Sequence, residues 1–267
     1  METHSLANLT IDPPPPSSAD WNDHGVVIID KFFPENLLVA YEECWLAHNS
    51  NRVSGWPDPI PYMRHEAIRD LLCWQALGNV LSDLISDTAA LHLNLTGWVS
   101  TERDWHQDSY LNPPWVGDYY AAVWIALDSI DPDSGPFQYV PGSHRWPQVT
   151  RENILSALPP DQRDHRWPKF SEQILSPLFE EEIVRREAEV VSYLPKRGDL
   201  LVWHGRLLHR GSRANIHGLE RRSLIAHYSG AGHRPDMPIA QHHKDGGWYF
   251  PLKTDLDLYY GPDDITI

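Results

Sequence analysis

Basic residues are scarce. In 267 residues, 22 Lys and Arg stand against 37 Asp and Glu, a formal net charge of −15. Nucleic acid and anionic membranes both reward basic patches, so neither is expected as a partner. Cysteine is nearly absent. Cys44 and Cys73 each sit in an apolar, helix-like stretch and have no zinc-type spacing, so they read as two buried free thiols in a reducing cytosol. No segment approaches the ~20 apolar residues of a membrane span. The start of the chain has no charged stretch followed by an apolar one, so no secretory leader is expected. The expectation is a cytoplasmic protein without internal repeats.

Tryptophan, in contrast, is abundant, with 12 residues. Trp is bulky and common in binding-site walls, although most of these are expected to fill a core. With 41% hydrophobic residues, the chain is long enough for one large domain, a size that all-β domains reach without splitting.

Residues 1–20, with Pro13-Pro14-Pro15-Pro16, read as an extended, flexible arm ahead of a single domain over 21–267. Gly25–Asp30 reads as a buried strand. Helices are expected from about Pro34 to His48 and from about 66 to 87, where Leu71, Leu72, Trp74, Leu77, Val80, Leu81, Leu84 and Ile85 recur at helical spacing. From residue 90 the period becomes two. Leu91, Leu93 and Leu95 alternate with His92, Asn94 and Thr96, predicting a half-buried strand. Further strands are expected at 119–128, 137–140, 189–193, 200–204 and 223–228. The charged segment of about 148–190 reads as a partly helical insertion whose acidic run is a solvated helix face, with a lid as the alternative that its position between the chemistry-bearing motifs offers. The tail after 230 is expected to be irregular. Helices followed by many short strands point to a mainly β fold with flanking α-helices, a jelly roll.

The chemistry centres on Asp104-Trp105-His106-Gln107-Asp108-Ser109-Tyr110. In a strand, residues two apart share a face, so His106 and Asp108 would point the same way. That is two-thirds of a facial triad, the arrangement that holds non-haem Fe(II) with open coordination positions. His209 is the favoured third ligand and His204 the rival. The odd separation of these two puts them on opposite faces of a regular strand, and Gly198-Asp199 before His209 and Gly211-Ser212 after it favour the later histidine. His144, in a Pro-Gly-Ser-His turn, reads as structural, and His242-His243 as solvent-exposed.

Five stretches together resemble the phytanoyl-CoA dioxygenase family of Fe(II)- and 2-oxoglutarate-dependent oxygenases. They are His106-Gln107-Asp108, Val123–Asp128, Pro141–His144, Gly198 through His209, and Asn215 with Arg221–Tyr228. The resemblance implies a double-stranded β-helix of cupin type. It makes His106, Asp108 and His209 the iron ligands and Arg221 the partner of the distal carboxylate of 2-oxoglutarate. Trp124 would line the cosubstrate pocket, with Gln107 and Ser212 at its border. One departure stands out: Arg210 intervenes after His209 where the family commonly reads His-Gly-Ser, so Asn215 and Arg221 each fall one place late.

Three protein ligands leave three positions on an octahedral iron, two for a 2-oxo acid and one for O2. The cofactor carries the oxidation, and the protein supplies geometry, dryness and orientation. A planar guanidinium suits the far carboxylate because it binds bidentately. A carboxylate at Asp108 leaves no halide site, which favours hydroxylation over halogenation; desaturation, epimerisation and ring formation draw on the same cofactors. The substrate is expected to be a small molecule, aromatic or apolar in view of the rings near the first ligands. The competing reading is a jelly-roll module that binds a metal or ligand without catalysis. Such a module has no use for a cosubstrate clamp.

Overall fold

The segment Tyr120–Ala126 carries no charge and is buried along its whole length, which is the signature of a strand covered on both faces. It lies near the middle of the larger sheet. The computed structural model describes residues 18–49 and 55–253. In chain order these form α1 (Ser18–His24), β1 (Val26–Ile29), α2 (Glu35–Asn49), α3 (Glu66–Leu72), α4 (Gln75–Ile85), β2 (Ala89–Gly97) and β3 (Tyr120–Ala126). Then follow β4 (Phe137–Tyr139), α5 (Arg151–Ala157), α6 (Trp167–Arg185), β5 (Val191–Tyr193), β6 (Leu200–His204), β7 (His209–Gly211), β8 (Ser223–Gly230), β9 (Gln241–His242) and β10 (Trp248–Tyr249). The larger sheet runs β1-β6-β3-β8-β2-β10-β9 and the smaller β5-β4-β7.

Alternation along the central strands sorts side chains between two cores. Ala121, Val123 and Ile125 of β3, with Leu200 and Val202 of β6 and Leu224, Ala226 and Tyr228 of β8, face α2, α3 and α4. Tyr120, Ala122 and Trp124, with Leu201 and Trp203, face the smaller sheet and meet Phe137, Tyr139 and Tyr193. Fully burying one such large apolar side chain contributes ~1.5–3 kcal/mol. A third cluster joins α5 and α6 to Trp105, Tyr110, Val140 and Leu208, so the 148–190 insertion covers the loop that carries the His-x-Asp motif. The fold is the expected jelly roll, with α2, α3 and α4 on one face of the larger sheet and α5 and α6 over the loop of the His-x-Asp motif.

Several expectations need correction. The arm expected over 1–20 ends earlier, because residues 18–20 already belong to α1; the rest of it lies outside the described residues. The 66–87 helix is two helices. Trp74 is extended (φ −63°, ψ 134°), and the Cys73 carbonyl between them accepts from Gly247 N at 2.8 Å. The tail after 230 is not wholly irregular: β10 pairs in parallel with β2 and antiparallel with β9, and Phe250 is fully buried. Its β-forming residues are too few for any period to be visible. Cys73 is buried, but Cys44 is only half-buried.

The β2 alternation is real but inverts partway. The pairing with β8 shifts between Leu91, opposite Tyr228, and Leu93, opposite His227, leaving His92 as the extra residue of a bulge. Leu91 therefore packs under the helices. Beyond the bulge, Asn94 and Thr96 take the helix side, where they bond Tyr62 N and the Tyr41 hydroxyl. Leu95 turns to the other side of the sheet.

The tail's docking is testable at two glycines in mutual contact. A Cβ on Gly247 would meet the Cys73 backbone at 2.5–2.7 Å, whereas one on Gly78 would meet only the Gly247 Cα at 3.5 Å. Gly247→Ala should destabilise by ~1–3 kcal/mol. Gly78→Ala, within α4, should be neutral or stabilise by up to about 1 kcal/mol. Urea unfolding of the two variants measures both.

Candidate metal and cosubstrate site

His106 and Asp108 do not lie in a regular strand. They sit in the 98–111 loop, which is pinned by backbone bonds. His106 N donates to His209 O at 3.0 Å and His209 N to His106 O at 3.1 Å, an isolated antiparallel bridge. Two residues on, Asp108 N and Ser109 N both donate to Gly205 O at 2.9 Å. The expected convergence of His106 and Asp108 therefore occurs, but through loop pinning and not through strand alternation.

The three side chains offer donor atoms within 4.8 Å of one another, and all three are buried. His106 Nε2 lies 3.9 Å from Asp108 Oδ1, and His209 Nε2 lies 3.8 Å from Asp108 Oδ2. Each imidazole turns its Nδ1 to a backbone carbonyl, His106 to Asp104 O at 2.7 Å and His209 to Leu207 O at 2.9 Å. Those bonds fix the tautomer and leave the Nε2 lone pairs facing the carboxylate, as outer-shell carbonyls do for metal-bound histidines. Burial pushes both imidazoles below their ordinary pKa, His106 strongly, so they stand neutral. Burial opposes ionisation of Asp108, but His209, His227, His106 and Arg103 outweigh it and hold its carboxyl well below the usual range. Two neutral imidazoles and one carboxylate are the donor set and protonation state that a divalent iron requires. Trp203 Nε1 donates to Asp108 Oδ2 at 3.0 Å and fixes the carboxylate from behind.

A cavity of about 100 Å³ opens beside the cluster, and Trp124, Phe137, Trp203, Arg221 and His227 are in its wall. Arg221 is 3% exposed. Its Nη1 donates to Gly135 O at 2.6 Å, its Nε has no partner, and no carboxylate pairs with it among the described residues. Burial pulls its pKa down to about 10. A buried cation without a counter-ion is costly unless an anion completes it. Trp124 lies beside the guanidinium, ring centroid to Cζ 5.9 Å, and its Nε1 is also unpartnered. The neighbouring Arg222 points elsewhere, pairing Glu220 and covering Trp98.

Other sequence candidates are placed away from this cavity. Gln107 is buried and donates to Arg206 O at 2.7 Å, and Ser212 donates to Pro136 O at 2.8 Å; neither lines the cavity. Arg210, the intervening residue, stacks on Trp105 and bonds Gln138. His204 packs against Trp21 and His144 and faces Asp118, on the side of β6 away from His209. His144 bonds Asn22 O and sits over Gly25. Of the pair expected to be exposed, His242 is, but His243 is buried between Asp70 and Asp245.

The sequence reading missed His227. Tyr120, whose pKa burial pushes well above 10, shares a 2.5 Å bond with His227 Nδ1. Burial pulls the His227 pKa down to about 4, so the imidazole is neutral. A protonated phenol donating to Nδ1 leaves the proton of neutral His227 on Nε2, which has no partner and belongs to the cavity wall. The signal was its place on β8: Arg221, Ser223, Ile225 and His227 are two apart and share a face. Arg103 was also missed; it lines the cavity and is tied to Glu172 of α6 at 2.5 Å.

A family model described as phytanoyl-CoA dioxygenase matches residues 30–223. No curated protein sequence matches the chain. Among solved structures, the chain is similar to the non-haem α-ketoglutarate-dependent epimerase SnoN from nogalamycin biosynthesis. The identity is 16%, over 80% of this chain and 82% of that one, with a TM-score of 0.60. It is similar to EctD from S. alaskensis at 17% identity over 85% and 81% of the two chains, TM-score 0.59. It is also similar to the α-ketoglutarate-dependent carbocyclase SnoK at 17% identity over 84% and 85%, TM-score 0.57. The match covers most of the chain and includes the His-x-Asp loop, β7 and the Arg221 segment, so the chain belongs to the phytanoyl-CoA dioxygenase family of non-haem Fe(II)- and 2-oxoglutarate-dependent oxygenases.

Proposed function

We propose that the protein hydroxylates a C–H bond of a small molecule, with His106, Asp108 and His209 holding Fe(II) and Arg221 holding the far carboxylate of 2-oxoglutarate. The observation that carries this reading is the unpaired, buried Arg221 guanidinium in the same cavity as a neutral, pre-oriented His-Asp-His cluster. A purely structural metal site would not need that cation. When bound, iron and 2-oxoglutarate supply the oxidation: O2 is consumed, the cosubstrate leaves as succinate and carbon dioxide, and the substrate gains an oxygen atom.

The chain's own residues do the positioning. The carbonyls of Asp104 and Leu207 hold the two imidazoles, and Trp203 holds Asp108. Trp124 and Phe137 wall the cosubstrate from water, and Trp124 Nε1 offers a second donor to its carboxylate. Gln107 and Ser212 serve at one remove, tying the Asp108 loop to Arg206 and the end of β7 to Pro136. At about 100 Å³ the cavity is well below the ~300–1,000 Å³ of a drug-sized pocket. It suits the cosubstrate alone, so the substrate approaches at the mouth, beside Leu95 and Ile225. Epimerisation and ring formation, named for SnoN and SnoK, are the alternative outcomes. Product mass separates them: hydroxylation adds oxygen, epimerisation leaves the mass unchanged, and ring closure removes hydrogen.

Anaerobic addition of Fe(II) and 2-oxoglutarate should give the visible charge-transfer band of the chelate. His209→Ala should abolish it, His204→Ala should leave it intact, and Arg221→Ala should require at least about tenfold more 2-oxoglutarate, in line with the loss of a charge-assisted hydrogen bond. A wild-type protein that binds iron but gives no band would instead support the non-catalytic binding module. The pH dependence follows from the depressed histidines. Protons compete with metal only below a ligand's pKa, so affinity for Fe(II) should be flat down through the ordinary imidazole value of 6.5 and decline only below it. Removing the unpaired cation should stabilise the apoprotein: Arg221→Met is expected to gain ~1–4 kcal/mol in urea unfolding while losing the cosubstrate.

A further inference from the structure

On the opposite face of the larger sheet from the oxygenase cavity, three further ligand-type side chains converge. Cys44 and His48 are four apart in α2 and so lie on one face of that helix, near its end. His65 occupies the N-cap position of α3, yet its side chain makes no capping bond. It turns instead toward His48, the two imidazoles lying 4.4 Å apart between centroids at 61°. Cys44 Sγ is 3.9 Å from His48 Nδ1, and one donor atom from each of the three residues lies within 4.8 Å of the other two. His48 Nδ1 also reaches Cys44 O at 2.8 Å, a bond to its own helix that an ion bound at Nδ1 would replace. Trp56 packs on His65 at 4.7 Å and on His48 at 6.4 Å, giving the group an apolar floor. The other side is open, since His48 is exposed and Cys44 and His65 are half-buried.

We propose that Cys44, His48 and His65 form a second metal site, separate from the iron centre, that takes Zn(II) through one thiolate and two imidazoles with a water at the fourth position. Zinc accepts this mixed sulfur and nitrogen set in tetrahedral geometry, with ligand bonds of about 2.0–2.3 Å. The donors need to draw in by only about an ångström from their present spacing to meet those bonds. That lies within the reach of side-chain rotation for a half-exposed Cys and His on a helix end. The third such cluster, Asp70, His243 and Asp245, is no rival, because Lys244 already lies 3.3 Å from Asp70 and fills the role of its cation. The chemistry at Cys44 is binding alone: the thiol gives its proton to solvent as the metal binds. The bound ion would tie the end of α2 to the start of α3 across the connecting segment.

Cobalt(II) offers a test that the iron site cannot mimic. Its donors are nitrogen and oxygen, whereas a thiolate bound to Co(II) gives a near-ultraviolet sulfur-to-metal charge-transfer band. The full-length protein, titrated with Co(II) at neutral pH, should develop that band to one equivalent at this site, and Zn(II) should bleach it. Cys44→Ser should abolish it, while His48→Ala and His65→Ala should each weaken binding by about 10- to 100-fold or more. Cys73→Ser should leave it unchanged. Zn(II) should also raise the midpoint of thermal unfolding in His209→Ala, and this shift should vanish when Cys44→Ser is added. No band at saturating Co(II), or a band equally strong in both histidine variants, would overturn the proposal, because the thiol would then be binding metal on its own or not at all.

Discussion

Two backbone hydrogen bonds between His106 and His209 hold the site together. They join a loop to a three-residue strand, and through β7 they tie the loop to the smaller sheet. Without that bridge the His-x-Asp motif would be an ordinary surface sequence on a long connection. With it, both imidazoles and the carboxylate are set before any ion arrives, and their Nδ1 atoms are already committed to backbone carbonyls. The three donor atoms are thereby gathered at the cavity wall and not at the solvent surface. The insertion extends the same logic outward. Ser176 of α6 donates to Trp105 O at 3.0 Å and Glu172 pairs Arg103, so the loop is clasped from above as well as from the side.

The cavity is notable for what it asks of a ligand. Arg221 Nε, Trp124 Nε1 and His227 Nε2 are all donors without acceptors, whereas the Asp108 oxygen facing Trp203 already has a partner. A wall of unsatisfied donors selects for an oxygen-rich anion, because an amine or a hydrocarbon would leave each of them bare. In this the neutral state of His227 matters as much as the charge of Arg221. Burial imposes it, and Tyr120 occupies Nδ1, so the single ring proton faces the cavity from Nε2.

Much of this was legible in the sequence and some could not be. The spacing of His106, Asp108, His209 and Arg221 names the cluster and the cation that the fold brings together, because these residues combine short-range pattern with distinctive chemistry. The chosen arginine lies in the cavity while its neighbour does not, as its kept spacing from Asn215 anticipates. His227 escaped notice because a histidine inside an apolar strand looks like any satisfied core residue; only the absence of a partner for Nε2 distinguishes it. The break at Cys73-Trp74 was invisible for a different reason: the helical period continues through it, and the cause lies about 170 residues away, in Gly247. Gln107 and Ser212 lie next to motif residues, yet their side chains serve the backbone, a distinction that depends on rotamers and not on spacing.

The bulge at His92 gives β2 two independent halves. Upstream, Leu91 belongs to the helix-side core; downstream, Leu95 and Gly97 belong to the cavity. A register change of one residue at that point would exchange the faces of the downstream half alone, sending Leu95 under the helices and turning the side chain of Thr96, which already borders the chamber, into it. The upstream packing would be untouched. One residue added or removed at the bulge would therefore rewrite one wall of the chamber while the helix-side core above it keeps its packing.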